Sequence, residues 1–134
     1  MSEENENIQT VRAMYDAFNR GDWQAVLAHV SPDIEFETDP RHPEAGIYRG
    51  RQQFRRLWEG IEAPFERTVV EPEKFFTKGP QVIAFVTMRR RPAGGHDDFS
   101  IRIGELWTLR DGKLVRGQAF AHRSEALEAV GLSE

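Results

Sequence analysis

Residues 99–122 read FSIRIGELWTLRDGKLVRGQAFAH, two alternating runs around an Asp-Gly turn, and the way they pair decides the fold. On the first run Ile101, Ile103, Glu105, Trp107 and Leu109 share one face; Ser100, Arg102, Gly104, Leu106 and Thr108 share the other. The turn can close in two ways. A two-residue loop pairs Arg110 with Lys113, whereas a three-residue loop with a glycine bulge pairs Leu109 with Lys113. A slip of one residue reverses every side chain on the second strand. The bulged turn sets Val115, Gly117, Ala119 and Ala121 beside the apolar face, opposite Trp107, Glu105, Ile103 and Ile101 respectively; the two-residue turn sets Arg116, Gln118, Phe120 and His122 there. Burying a polar group without a partner costs roughly 1–3 kcal/mol. The bulged turn is therefore the expectation.

Gly117, Ala119 and Ala121 are too small to fill the space above their own strand. A hollow is expected there, walled by Trp107, Ile103 and Phe85, with Glu105 as the only charge on its strand face.

Working outward, Gln81–Arg91 and Phe65–Thr77 read as two further strands, which makes a four-stranded meander. Before it, Ile8, Val11, Tyr15 and Phe18 recur at helical steps from about Glu3 to Arg20, with Ser2 as a cap and Gly21 as a stop. Asp22 caps a short second helix carrying Trp23, Val26, Leu27 and Val30, which Ser31-Pro32-Asp33 ends. A strand follows, with Ile34, Phe36 and Thr38 on one side. Asp39–Gly50 holds two prolines and two glycines and reads as a loop. Arg51–Glu62 is a third helix with Phe54, Leu57, Trp58 and Ile61 on its stripe, and Ser124 is placed to cap a last short helix through Val130. Helices gathered against an antiparallel sheet are the α+β arrangement, and residues 1–134 make one domain.

The bulk numbers narrow the function. A net charge of −4 argues against non-specific nucleic-acid binding, and Arg89-Arg90-Arg91 reads as a solvated strand end. The apolar stretches fall far short of the ~20 residues that span a bilayer. MSEENENIQT has neither a basic n-region nor an apolar h-region, so the expected location is the cytoplasm. With no cysteine, thiolate catalysis and cysteine-based metal sites are excluded. The histidines His29, His96 and His122 show no metal-ligand spacing, and no metal is expected.

Glu105 is the candidate catalytic residue, because a buried carboxylate has a raised pKa suited to acid–base work. The alternative is a structural Glu105 satisfied by a tyrosine, a tryptophan N–H or an arginine such as Arg89. Candidate ligand contacts are Tyr15, Phe36, Thr38, Trp58, Phe85, Ile103, Trp107 and Ala119, with Asp39 and His42 near the mouth. The opposite sheet face carries Leu106 and Phe120 among polar residues, without a helix assigned to cover it. A homodimer through that face is expected.

VRAMYDAFNRGDWQAVLAHVSPDIEF, GIYRGRQQFRRLWEGI, GELWTLRDGKLVRGQAFAH and ALEAVGL follow one another in an order that resembles the SnoaL-like branch of the nuclear transport factor 2-like superfamily. The resemblance spans nearly the whole chain. It implies a cone-shaped, half-open barrel of a curved, mixed but largely antiparallel sheet, with three N-terminal helices covering a pocket. It also implies no metal cofactor and, usually, a homodimer. Against the superfamily's ketosteroid isomerases, Glu105 aligns with the aspartic acid on the oxyanion side and Trp58 with a pocket tyrosine. Met14 and Thr38 stand where the oxyanion tyrosine and the general base would be, so that reaction is not implied. Two readings follow: a cofactor-independent isomerase, cyclase or hydratase acting on a small apolar or polycyclic carbonyl compound, or a non-catalytic domain binding a hydrophobic ligand.

Overall fold

The computed structural model describes residues 2–134. Helices α1 (Glu3–Asn19), α2 (Trp23–Ala28) and α3 (Gly50–Glu62) precede or interleave with strands β1 (Val30–Glu37) and β2 (Ile47–Arg49). Strands β3 (Phe65–Lys78), β4 (Gln81–Pro92), β5 (Phe99–Arg110) and β6 (Lys113–Phe120) follow, then helix α4 (Arg123–Glu128). The six strands form one open sheet in the order β2-β1-β6-β5-β4-β3. Among the described residues only β1 and β6 run parallel; every other pair is antiparallel. This is the α+β cone expected from the sequence.

Local chemistry sets the boundaries. The Ser2 hydroxyl accepts from Asn5 N–H at 3.1 Å at the start of α1, and the Asp22 carboxylate accepts from Ala25 N–H at 3.0 Å at the start of α2. Gly21, at φ +70°, makes the turn between them. Helix α4 begins two residues earlier than its sequence suggests, with His122 as N-cap and no side-chain capping bond, so Ser124 is inside it. Two features of the 30–50 segment also differ from expectation. Strand β1 starts at Val30 and runs through Pro32, with its ladder to β6 irregular between Val30 and Glu35, where a proline without an N–H is tolerated. Ile47–Arg49, read as loop, pairs with Glu35–Glu37 as an edge strand.

The decisive turn combines both alternatives. Arg110 pairs with Lys113, so the loop has two residues, and Asp111 and Gly112 sit at φ 53° and 75° as a left-handed turn requires. The bulge comes later. Leu109 faces Leu114 and Thr108 faces Arg116, which leaves Val115 as the extra residue on β6. That single insertion restores the expected parity. The partners move two residues along: Gly117 faces Trp107 and Ala119 faces Glu105.

Two apolar clusters hold the sheet. The larger lies between the concave face and α1–α3, built on Val11, Ile34, Phe36, Phe54, Val82, Trp107 and neighbours. The smaller lies on the convex face under α4 and contains Ile83, Phe85, Leu106, Ala126 and Leu127, with Phe120 against it. Gly104 permits that close approach, since a Cβ there would stand 2.8 Å from Ala126 Cβ. Two expectations change. Phe85 belongs to the convex face, and α4 covers Leu106 and Phe120, which removes the apolar argument for a partner on that face.

Candidate functional site

Strand alternation aims Glu105 into the concave side, where it is 1% exposed. Helix α1 lays Tyr15 over it, and the tyrosine hydroxyl donates to Glu105 Oε1 at 2.6 Å. Trp107 Nε1 donates in turn to the Tyr15 oxygen at 2.9 Å. Glu105 Oε2 is buried and has no partner. Burial raises the Glu105 pKa to about 7, against the pull of the Tyr15 hydroxyl and the positive charge of Arg90. Burial and the neighbouring carboxylate also push Tyr15 well above its usual value, so it remains a neutral donor. The pair can hold or release one proton near neutral pH.

Little free space adjoins that pair. The hollow above Gly117 is filled: a Cβ there would lie 2.6 Å from Phe36 Cδ2 and closer still to the Trp107 ring. Phe36 packs against Phe54, Trp58 and Trp107 with ring centroids 5.5–5.6 Å away. What remains beside Glu105, Tyr15 and Trp107 is a void of about 20 Å³, enough for one water.

A ligand-sized, mainly apolar space lies above Ala119 and Ala121. It measures about 300 Å³, and its walls include Trp58, Ile61, Met88, Ile101 and Ile103. Trp58 and Met88 also border the small void, so they form the partition between the two. The polar rim comes from Thr38, Asp39, Arg41, His42 and Arg90.

Most of that rim is engaged. Asp39 accepts from Arg41 through Nε at 2.7 Å and Nη2 at 2.8 Å, and from Ala121 N–H at 2.7 Å. The Arg41 guanidinium holds the Asp39 carboxyl well below the usual carboxylate range, which unsuits it as a base. Arg41 continues to Glu125 at 2.5 Å, so this chain of charges clamps the 39–46 loop to α4 and to Ala121, just past β6. Thr38 donates to Glu44 O at 2.9 Å, and His42 Nδ1 accepts from Glu44 N–H at 2.9 Å.

Arg90 differs. Alternation along β4 turns it inward with Val82, Ala84, Val86 and Met88, while Arg89 and Arg91 face out to Glu71 and Asp98. Its Nη2 donates to Glu62 Oε1 at 2.7 Å, the Thr68 hydroxyl occupies the other Glu62 oxygen, and the guanidinium stacks 5.0 Å over the Phe65 ring. Its Nε is buried without an acceptor. Reading the basic run as a solvated strand end is right for Arg89 and Arg91 and wrong for Arg90. The same alternation makes Arg90, not Arg89, the cation near Glu105.

Of the residues expected to meet a ligand, Thr38, Trp58, Ile103 and Ala119 line the larger cavity. Tyr15, Trp107 and Glu105 line the small void, Phe36 is packed solid, and Phe85 lies across the sheet. Among the described residues no group of three or more His, Cys, Asp or Glu is placed to hold a metal ion.

A cone-shaped α+β sheet with an apolar cavity under its helices defines the nuclear transport factor 2-like class. Within it, residues 11–117 match the SnoaL-like domain, and the chain belongs to that family. A nuclear transport factor 2-like protein of unknown function from Burkholderia pseudomallei K96243 is similar at 22% identity and TM-score 0.78, over 98% of this chain and 99% of that one. A putative polyketide cyclase from Xanthomonas campestris pv. campestris gives 21% and 0.76, over 88% and 91%. TerC, co-crystallised with polyporic acid, gives 22% and 0.77, over 86% and 90%. No curated protein matches the chain.

Proposed function

We propose that the protein binds a small, largely apolar molecule in the cavity bounded by Trp58, Ile61, Met88, Ile101, Ile103 and Ala119. The observation that carries this is the cavity itself. Its volume of about 300 Å³ stands at the lower end of the ~300–1,000 Å³ usual for small-ligand sites, and its walls are mainly apolar beneath a polar rim. The cyclase designation of one structural neighbour and the polyporic acid of another support a small-molecule site in the family.

Acid–base catalysis on a carbonyl compound, of isomerase, cyclase or hydratase type, is the second reading. Glu105 favours it, with one unpartnered oxygen, a pKa of about 7 and a tyrosine donor alongside. For a molecule in the larger cavity to reach that oxygen, the Trp58–Met88 partition must move. Binding is therefore the primary reading and proton transfer by Glu105 the conditional one. Residence in the cytoplasm and pairing of two copies through exposed sheet residues such as Arg116 belong to the same proposal; sedimentation velocity tests the pairing.

The direct test places bulk in the cavity. Ala119→Phe should weaken binding of 2-naphthamide, followed by protein NMR shifts at Ile103 and Ala121, by about tenfold or more, while circular dichroism stays unchanged. Equal affinity in the two proteins would remove the cavity from the proposal.

A further inference from the structure

Buried arginines in small domains are ordinarily paired along more than one edge, because the cost of desolvating the guanidinium has to be offset. Arg90 is 8% exposed, yet Glu62 is its one hydrogen-bonding partner, and the second Glu62 oxygen is already engaged by Thr68. The guanidinium cannot swing freely. Phe65 backs its plane and Glu62 fixes one edge, which leaves a pre-oriented donor group set in the cavity wall. The other cation on the rim, Arg41, is already balanced by two carboxylates, Asp39 and Glu125. Arg90, set against one carboxylate and with a buried, unpartnered Nε, is thus the rim cation placed to answer something that enters.

Resting on the small-molecule reading above, we infer that the cavity selects an apolar molecule bearing a single carboxylate, its oxygen accepting from the Arg90 guanidinium and its body lying against Ile101, Ile103 and Ala119. The apolar walls and the single available cation define that class together. A neutral hydrocarbon leaves the guanidinium unanswered, and a polyanion finds the second rim cation, Arg41, already balanced by two carboxylates. A charge-assisted bond to a fixed, desolvated guanidinium is stronger than a neutral one, so the preference should be measurable.

The pair 2-naphthoate and 2-naphthamide isolates charge at nearly constant shape. Titrated calorimetrically into the full chain, 2-naphthoate should bind at least about tenfold more tightly than the amide. The double variant Arg90→Met/Glu62→Gln removes both members of the ion pair; it should bring the two affinities to within about twofold of each other. Arg90→Lys, which keeps the charge but not the fork, should retain part of the ratio. Equal affinities in the wild-type chain, or a ratio that survives in the double variant, would overturn the selection of an acid while leaving the cavity's binding role intact. Failure of both probes to bind would overturn the acid proposal and the small-molecule reading together, and the amide titration separates that case from the previous one.

Discussion

Glu105 carries a consequence for stability. Its pKa of about 7 in the folded chain stands above the ordinary 4.5, so the native state binds the proton more tightly than the unfolded chain does. The resulting stabilisation is complete below about pH 4.5 and fades as pH rises through 7, amounting to roughly 2–3 kcal/mol between pH 5 and 8. Asp39 works in the opposite sense, since its depressed value contributes stability that is lost in acid. Urea unfolding at pH 5 and pH 8 should show the wild-type chain losing that amount relative to Glu105→Gln; parallel losses would mean that Glu105 titrates normally. The burial of Glu105 was legible from one strand face. Its partner was not, because nothing in the sequence registers a helix residue against a strand residue 90 positions away. Arg90 was legible in principle: the alternation that hides Val86 and Met88 hides Arg90 too, but three adjacent arginines look like surface until the strand period is carried through them.

At the scale of the element, the β5–β6 hairpin owes its working register to Val115. A regular two-residue hairpin would turn Arg116 and Gln118 inward, and the unpaired Val115 instead restores Gly117 and Ala119 to the concave face. Sequence patterning found the correct face because burial decides it, yet it merged turn and bulge into one event, since both readings consume the same extra residue. The short β2 strand escaped detection for a different reason. Three residues flanked by prolines and glycines carry no measurable period. Gly117 offers the sharpest test of the packing. Gly117→Ala should cost about 1–3 kcal/mol by overpacking, because Phe36 and Trp107 already occupy the place of its Cβ. A denaturant midpoint unchanged by the substitution would show that the aromatic cluster yields.

Across the whole molecule, the sheet separates two apolar clusters, and an interior ladder joins β1 to β6, residues 30–37 to 114–118. Contacts so distant along the chain slow folding, because loop closure must be completed before they are rewarded. Refolding by stopped-flow fluorescence of the buried tryptophans should therefore occupy milliseconds to seconds; a microsecond phase carrying the full amplitude would contradict the topology. The parallel β1–β6 ladder also dictates what happens while the protein is being made. Strand β1 emerges from the ribosome some eighty residues before the strand it must join. Until then Ile34 and Phe36 have no sheet to rest on, and a nascent chain halted before residue 113 should be a client for chaperones.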